Sequence, residues 1–421
     1  MKRALSLALL VWICFLSTAA AENWPAWRGA DGTGISSEQN LPVRWTTTEN
    51  IRWKTPLPEP CNSTPVVWDD RVFLTQGLDG GARRALIALD RNTGEKLWQQ
   101  ELACTAEETT HRQNPPCSAS PVTDGRSVYA YFGSAGVLAC DLNGNQLWHR
   151  DLGPVLHHFG NGGSPVLTEN LVILFHGPGE PSLLMALDKQ SGATVWKSQE
   201  TPINHNLFGS WGTPLLLQVR DHTELIMPLP GKRVGGVGWF KAYDPATGTT
   251  LWQCDGLGTE VYSMPVVGTD GKLVVGISGH NGPTMAVRPG GAGNVTSSRR
   301  LWRTEVKNPQ RVGSGVIHDG HVYLANASPG TMECLRAENG ESVWKERLGG
   351  NLWGSVLLAG GNLYVTSLEG DTFVVRASPQ FELVSKNSIG ETTYAALAPS
   401  NGELFLRTHE HLYCIADNGK N

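Results

Sequence analysis

ALDRNTGEKLW (88–98), ACDLNGNQLW (139–148), ALDKQSGATVW (186–196), AYDPATGTTLW (242–252) and CLRAENGESVW (334–344) repeat one phrase five times: a polar residue, usually Asp, then a Gly turn, then an apolar-Trp pair. Two looser copies are AVRPGGAGNVTSSRRLW (286–302), stretched by a Gly-rich insert, and VVRASPQFELV (374–384), in which Val384 stands for the Trp. Each phrase reads as strand, tight turn, strand, with the Gly supplying a positive-φ step, so its Asp and Gly are structural rather than catalytic. Upstream of each lie two more strand-like runs, for example TPVVW and RVFLT (64–75) or MPVVG and LVVGI (264–277). Every unit therefore holds four strands. From Trp53 to Trp344 the successive Trp spacings are 45, 50, 48, 56, 50 and 42 residues, which match the roughly 40 to 50 residues of a four-stranded propeller blade.

Seven complete units run from Ser63 to about Ile389, followed by three strands with no fourth (YAALA, ELFLR, HLYCIA). The missing strand is the orphan IRWKTPL at 51–57, which closes the ring and removes its exposed edges. Helical periodicity is almost absent, so the expected fold is all-β: an eight-bladed β-propeller over 50–417, with the N-terminal strand completing the last blade. Residues 22–49 form an arm whose Trp24, Trp27 and Trp45 are expected to pack across the outside of a blade.

Lys2 and Arg3, the apolar run Ala4 to Leu16 and the small residues Ala19-Ala20-Ala21 read as an export leader over 1–21, cleaved after Ala21. Cys14 follows Ile13 and precedes the better cleavage site, so it is not read as a lipid-attachment cysteine. No later segment has the roughly 20 apolar residues of a membrane helix. The expected mature protein is exported to the periplasm or beyond, without a transmembrane segment, as a monomeric ring. A net charge of −5, with both signs scattered along the chain, offers no basic stripe for nucleic acid.

Of the seven remaining cysteines, Cys140, Cys334 and Cys414 lie in apolar runs and read as small buried hydrophobes. Cys104 and Cys117 flank a polar insertion, TAEETTHRQNPP, and a disulfide between them would staple it, with Cys61–Cys117 the competing pair. No histidine pair has helical metal-ligand spacing, so His111, His157, His158 and His205 predict no metal site. No Gly-x-Ser-x-Gly elbow or phosphate loop is present, and no catalytic residue is assigned.

The Gly-x-x-x-Trp ending, as in Gly94 to Trp98, resembles the repeat of the pyrroloquinoline-quinone (PQQ) dehydrogenase superfamily, over essentially the whole mature chain. The resemblance implies that Trp53, Trp98, Trp148, Trp196, Trp252, Trp302 and Trp344 rivet neighbouring blades. One branch of that superfamily comprises quinone-dependent dehydrogenases, whose cofactor sits between an aromatic face and a vicinal Cys-Cys disulfide beside calcium and an Asp base. This chain has no adjacent cysteines and no Cys-x-x-Cys-His haem site, so PQQ and calcium are not expected. The other branch resembles the outer-membrane β-barrel assembly subunit BamB, a non-catalytic scaffold that implies a protein or peptide partner. The opening WPAWRGADGTGIS is also similar to exported quinoprotein-repeat proteins of planctomycete-type bacteria.

Aligning the eight inner strands on the Pro of their Ser/Thr-Pro step (Pro65, Pro121, Pro165, Pro214) or on its replacement puts Asn62, Ser118, Gly162, Trp211, Tyr262, Val312, Trp353 and Thr393 at one ring position. One residue earlier stand Cys61, Cys117, Asn161, Ser210, Val261, Arg311, Leu352 and Thr392. Trp211, Tyr262 and Trp353, with Arg311, Asn161 and His158 nearby, predict a cupped channel mouth able to stack on a planar ligand or grip a peptide side chain. The plainer alternative is that these aromatics plug the channel. Two functions follow: an exported scaffold for protein partners, or a PQQ or other small-ligand binder derived from a dehydrogenase.

Overall fold

The computed structural model describes residues 22–179, 182–200, 208–232, 235–304 and 310–417. The leader read over 1–21, with Cys14, and His205 lie outside these residues. Eight sheets, each with a four-stranded antiparallel core, follow one another along the described residues. Blade 1 is Val66–Trp68, Arg71–Leu78, Arg83–Asp90 and Lys96–Ala103, hydrogen-bonded in that order, and blades 2 to 7 repeat the pattern. Blade 8 is built from Ala398–Ser400, Glu403–Arg407 and His411–Ala416, and its outer strand is Ile51–Pro56, with Trp53 opposite Cys414. Closure by the first strand is therefore observed. Among the described residues no helix is long and apolar enough to cross a membrane.

The repeated phrase does its work at the blade corner. Asp90 Oδ1 accepts the N–H groups of Asn92 and Thr93 at 2.8 and 2.9 Å, a side-chain-capped turn that Gly94 finishes at φ +73°. The register then slips by one residue, between Ala88 and Leu89, and the same bulge recurs in every blade from 1 to 7. It leaves the Trp opposite a small residue: Trp98 faces Ala88, Trp252 faces Ala242 and Trp344 faces Cys334. Cys334 and Cys414 thus occupy alanine positions and, with Cys140, are fully buried. They are the packing thiols the sequence suggested, and burial pushes the pKa of Cys334 up to about 11.

Each Trp then reaches the next blade. The indole N–H groups of Trp53, Trp98, Trp148, Trp196, Trp302 and Trp344 donate to the carbonyls of Arg91, Leu142, Lys189, Pro245, Ala337 and Ser378, at 2.8 to 3.1 Å. The turn glycine of the next blade lies flat on the ring: a Cβ on Gly94 would stand 2.5 Å from Trp53, and one on Gly340 would stand 2.7 Å from Trp302. Trp252 departs, donating instead to Glu224 Oε2 within its own blade at 2.9 Å.

Blade 7 corrects one alignment. Its turn is one residue longer than that of blade 1, so Ser385, not Val384, stands at the Trp position, opposite Val374. Trp45 of the arm comes in beside it, its backbone N–H donating to Asn387 Oδ1 at 3.0 Å, and is buried between blades 7 and 8. The arm also departs from the expected outer path. Trp24 pairs with Val67 on an inner strand, and the Arg28 guanidinium, 4 % exposed, donates to the carbonyls of Val356 (2.7 Å), Thr33 (2.8 Å) and Gly315. Ile35 bridges to Leu358. Residues 24–36 thus run across one end of the channel, touching the inner strands of blades 1, 6 and 7.

Candidate functional site

The channel is belted by hydrogen bonds between blades. Backbone N–H groups of Ala396, Thr64, Ser120, Met264 and Ser314 donate to the hydroxyls of Thr64, Ser120, Ser164, Ser314 and Ser355, at 2.9 to 3.1 Å. With Ser164 N–H donating to Thr213 Oγ1 at 2.9 Å, these bonds tie the inner strands of blades 8, 1, 2, 3 and 4 into one arc and those of blades 5, 6 and 7 into another. Two residues before the belt, the chain presents Asn62, Ser118, Gly162, Trp211, Tyr262, Val312 and Trp353 to a cavity of about 240 Å³. The eighth member is Tyr394 rather than the expected Thr393, because Ala396 pairs with Thr64 in the belt. Blade 8 has neither half of the landmark, Ala396-Leu397 standing where the other blades keep the Ser/Thr, the Pro or both. Thr393 is buried, its hydroxyl donating to the Arg407 carbonyl at 2.6 Å.

Side chains alternate along an extended chain, so the residue just before the lining position turns away from the channel. Arg311 is the clearest case. It was expected at the mouth but is 2 % exposed, lodged against Asn326 Oδ1 at 2.7 Å and Glu333 Oε2 at 2.5 Å. Asn161 likewise misses the cavity: its carbonyl accepts from Asn114 Nδ2 at 3.0 Å and its Oδ1 is buried without a partner. His158 is exposed on the rim, its ring 4.9 Å from Phe159 and 6.3 Å from His111.

Trp211, Tyr262 and Trp353 do come together, in two aromatic arcs. On blades 4 and 5, Trp211 and Tyr262 have centroids 5.3 Å apart, and Phe159 stands edge-on to Trp211 at 6.1 Å. On blades 7 and 8, Trp353 meets Tyr394 edge-on at 4.9 Å, and Tyr394 stacks on His409 at 5.2 Å. Trp27 of the arm also lines the cavity, which corrects its expected place outside a blade.

The insertion between Cys104 and Cys117 roofs part of the mouth. A buried ion pair, Arg84 Nη2 to Glu108 Oε2 at 2.6 Å, holds its first half. Asn62 Nδ2 donates to the Gln113 carbonyl at 2.9 Å, and Asn114 Nδ2 donates to the carbonyls of Phe159 and Asn161. His111, Gln113 and Asn114 thereby enter the cavity wall. Nothing in the repeat signalled them; the only cue was a twelve-residue, largely polar insertion running into an inner strand. Burial and the nearby charges of Arg112 and His158 hold His111 below the ordinary imidazole value, which favours its neutral form.

The structure does not contain the Cys104–Cys117 bridge. All seven described cysteines are thiols, and Cys117 hydrogen-bonds with Cys61 of the adjacent blade. Gly77 N–H donates to Cys61 Sγ at 3.1 Å. Burial pushes both thiols up. For Cys61 this is outweighed by the Cys117 hydrogen bond and the charge of Arg407, a fully buried guanidinium whose Nη1 also reaches Ser63 Oγ at 2.6 Å. The side chains of Cys61 and Cys117 leave the channel by the same alternation that removes Arg311.

A tricarboxylate quinone with calcium needs cations, carboxylate ligands and, on the resemblance, a vicinal disulfide. Among the described lining residues there is no Asp, Glu, Lys or Arg, and the two thiols near the cavity stand on separate blades, so these residues do not fit that group. A separate cluster, Glu391, Glu410 and His411, has ligand atoms within 4.8 Å of one another. There, however, Glu391 already accepts from Thr408, Tyr413 and His411.

The profile of the family described as outer membrane protein assembly factor BamB matches residues 29–155 and 291–408. The BamB of Xanthomonas campestris is 30 % identical over 148 residues, 35 % of this chain and 33 % of that protein; the BamB of Yersinia pestis is 24 % identical over 274 residues, 63 % and 62 % respectively. The chain thus spans about a third and just over three fifths of the length of these relatives. Among solved structures, BamB from Moraxella catarrhalis superposes with a TM-score of 0.61 at 15 % identity, covering 88 % of this chain and 99 % of that one. The quinohemoprotein alcohol dehydrogenase of Comamonas testosteroni reaches 0.71 at 13 %, covering 95 % and 81 %. A europium-containing methanol dehydrogenase reaches 0.67 at 13 %, covering 91 % and 89 %. These structural likenesses speak for the fold alone, and the family profile, matching more than half of the chain, establishes that it belongs to the PQQ-like β-propeller family of outer membrane protein assembly factor BamB.

Proposed function

We propose that this protein is an exported, non-catalytic propeller scaffold that binds a protein or peptide partner through the loops of its channel mouth. The observation that carries this reading is the roof. The 104–117 insertion and the 155–161 loop cover part of the mouth, and they present Leu156, 60 % exposed, and exposed His158 above a wall of aromatic, amide and hydroxyl groups. Such groups hold a partner by contact and hydrogen bonding. The family membership supports the same reading.

The test is site-specific photocrosslinking in cells, with a benzophenone amino acid at position 156 or 158 and, as control, at position 345 on the outer strand Ser342–Arg347 of blade 6. A discrete crosslinked partner at the mouth positions and not at 345 is expected. Equal labelling at all three positions, or none, overturns the mouth as the docking face. The small-ligand reading has its own support in the cavity beneath the roof.

A further inference from the structure

The cavity is built from groups that have hydrogen bonds left to give. The hydroxyls of Thr64, Ser120, Ser164 and Ser355 are each fixed by accepting a backbone N–H from a neighbouring blade. Among the described residues none of these four donates its own proton. Higher up the wall, the side-chain amides of Gln113 and Gln310, the Trp353 indole N–H and the Tyr394 hydroxyl make no hydrogen bond within the described protein, although all four residues line the cavity. Unspent donors lie at the floor and the rim, between the aromatic arcs of blades 4–5 and 7–8.

Charge narrows the class. The described lining contains no carboxylate, ammonium or guanidinium, and placing a charge in a half-enclosed site without a counter-charge is costly. A quaternary ammonium would use the aromatic faces but would meet the positive ends of the floor O–H groups. A tricarboxylate would find donors but no cation. A pyranose ring suits both halves of the wall: its C–H faces lie against the electron-rich faces of Trp and Tyr, and its hydroxyl and ring oxygens accept from the floor and rim. At about 240 Å³ the cavity falls just under the 300–1,000 Å³ of drug-sized sites, which suits a single sugar ring.

We propose that the channel mouth is a binding site for one neutral saccharide residue, sandwiched between Trp211/Tyr262 and Trp353/Tyr394 and hydrogen-bonded by Gln113, Gln310 and the hydroxyl floor. The residue is either a free monosaccharide or the end of a longer glycan, and both present the same ring to the wall. The proposal goes beyond partner docking, and a failed crosslink at 156 or 158 leaves it standing.

The test is calorimetric titration of the chain over residues 22–421 with glucose, N-acetylglucosamine and galactose and with a tetrasaccharide of each, using choline and PQQ with Ca²⁺ as comparison ligands and tryptophan fluorescence as a second readout. Saturable binding of at least one saccharide is expected, with a quenched or shifted indole emission. Tighter binding of the tetrasaccharide identifies a glycan end, and equal binding a free sugar. Trp353→Ala is expected to weaken the titration about tenfold, the effect of removing one aromatic anchor. Should that variant fail to fold, the double variant Gln113→Ala/Gln310→Ala, which breaks no side-chain hydrogen bond among the described residues, is expected to weaken binding several-fold at an unchanged melting temperature. No saturable binding of any saccharide at about ten times a millimolar Kd overturns the proposal. So does a preference for choline or the quinone, or unaltered binding by the variants.

Discussion

Two joints of the same ring solve one packing problem differently. Between blades 5 and 6, Trp302 donates to the Ala337 carbonyl at 2.8 Å and Gly340 lies on its ring, leaving the indole 9 % exposed. Between blades 4 and 5 the turn that would bring such a glycine is replaced by the Gly-rich insert. That insert folds back so that Gly293 and Asn294 pair in parallel with Trp252 and Gln253, adding a fifth strand to blade 4. Val295 packs into the same core, Trp252 is fully buried, and its N–H goes to Glu224. Glu224 also accepts from Gly290 N–H at 3.2 Å. What the repeat needs at these two joints is therefore a filled indole site and a satisfied indole N–H. The glycine is one means of meeting those needs, and a carboxylate under an extra strand is another.

The largest effect should come from removing the indole. Trp252→Ala leaves a void with no glycine turn beside it to collapse inward and is expected to cost about 3–5 kcal/mol, read by denaturant unfolding. Trp302→Ala should fall at or below the lower end of that range. If the two losses are equal, the insert contributes nothing to its joint and the comparison fails. A glycine pair isolates the regular device. Gly340 and Gly402 sit at φ +75° and +76°, but a Cβ on Gly340 meets Trp302 whereas one on Gly402 has nothing within 4 Å. Gly402→Ala should therefore cost only about 1–2 kcal/mol of left-handed strain. Gly340→Ala adds roughly 1–3 kcal/mol of overpacking, so the difference between the two variants measures the contact itself.

The ring was legible because each blade carries its own punctuation. Asp, Gly and Trp at fixed offsets gave the blade count, and the orphan IRW at 51–53 gave the closure. The same symmetry placed Trp211, Tyr262 and Trp353 on one wall. It failed where a residue has no counterpart in other blades. Tyr394 was missed by one position because Ala396-Leu397 gives blade 8 neither the Ser/Thr nor the Pro of the landmark, and Ser385 because the blade 7 turn is one residue longer than that of blade 1, Val374 and Ser385 standing eleven positions apart where Ala88 and Trp98 are ten apart. Arg311 and Asn161 were placed at the mouth by a correct alignment read without the alternation of side chains, which turns them between blades. The roof of His111, Gln113 and Asn114 and the arm residues Trp27 and Arg28 lie outside the repeat, and their positions depend on hydrogen bonds to distant loops that no local pattern encodes.

The smallest expected effect separates the two joints by pH. His222 stands between Asp221 Oδ1 (3.3 Å) and Glu224 Oε1 (3.2 Å), and these partners, Asp221 first and Glu224 next, hold its imidazole above the ordinary value of 6.5. A raised folded-state pKa means that the imidazolium favours the folded chain. Its contribution is complete below pH about 6.5 and is lost as pH rises through the folded value. The side chain is open to solvent, so the effect is small and weakens with salt. His222 should titrate above 6.5 by NMR, with Asp221→Asn lowering its midpoint more than Glu224→Gln does. The stability advantage of the native chain over His222→Ala should shrink between pH 6 and 8. The Trp302–Ala337 hydrogen bond carries no titratable group, so Trp302→Ala should cost the same across that range, while the cost of Glu224→Gln should decline with rising pH. A parallel decline in both variants would mean that the carboxylate joint has no electrostatic character of its own, and that the two joints differ only in shape.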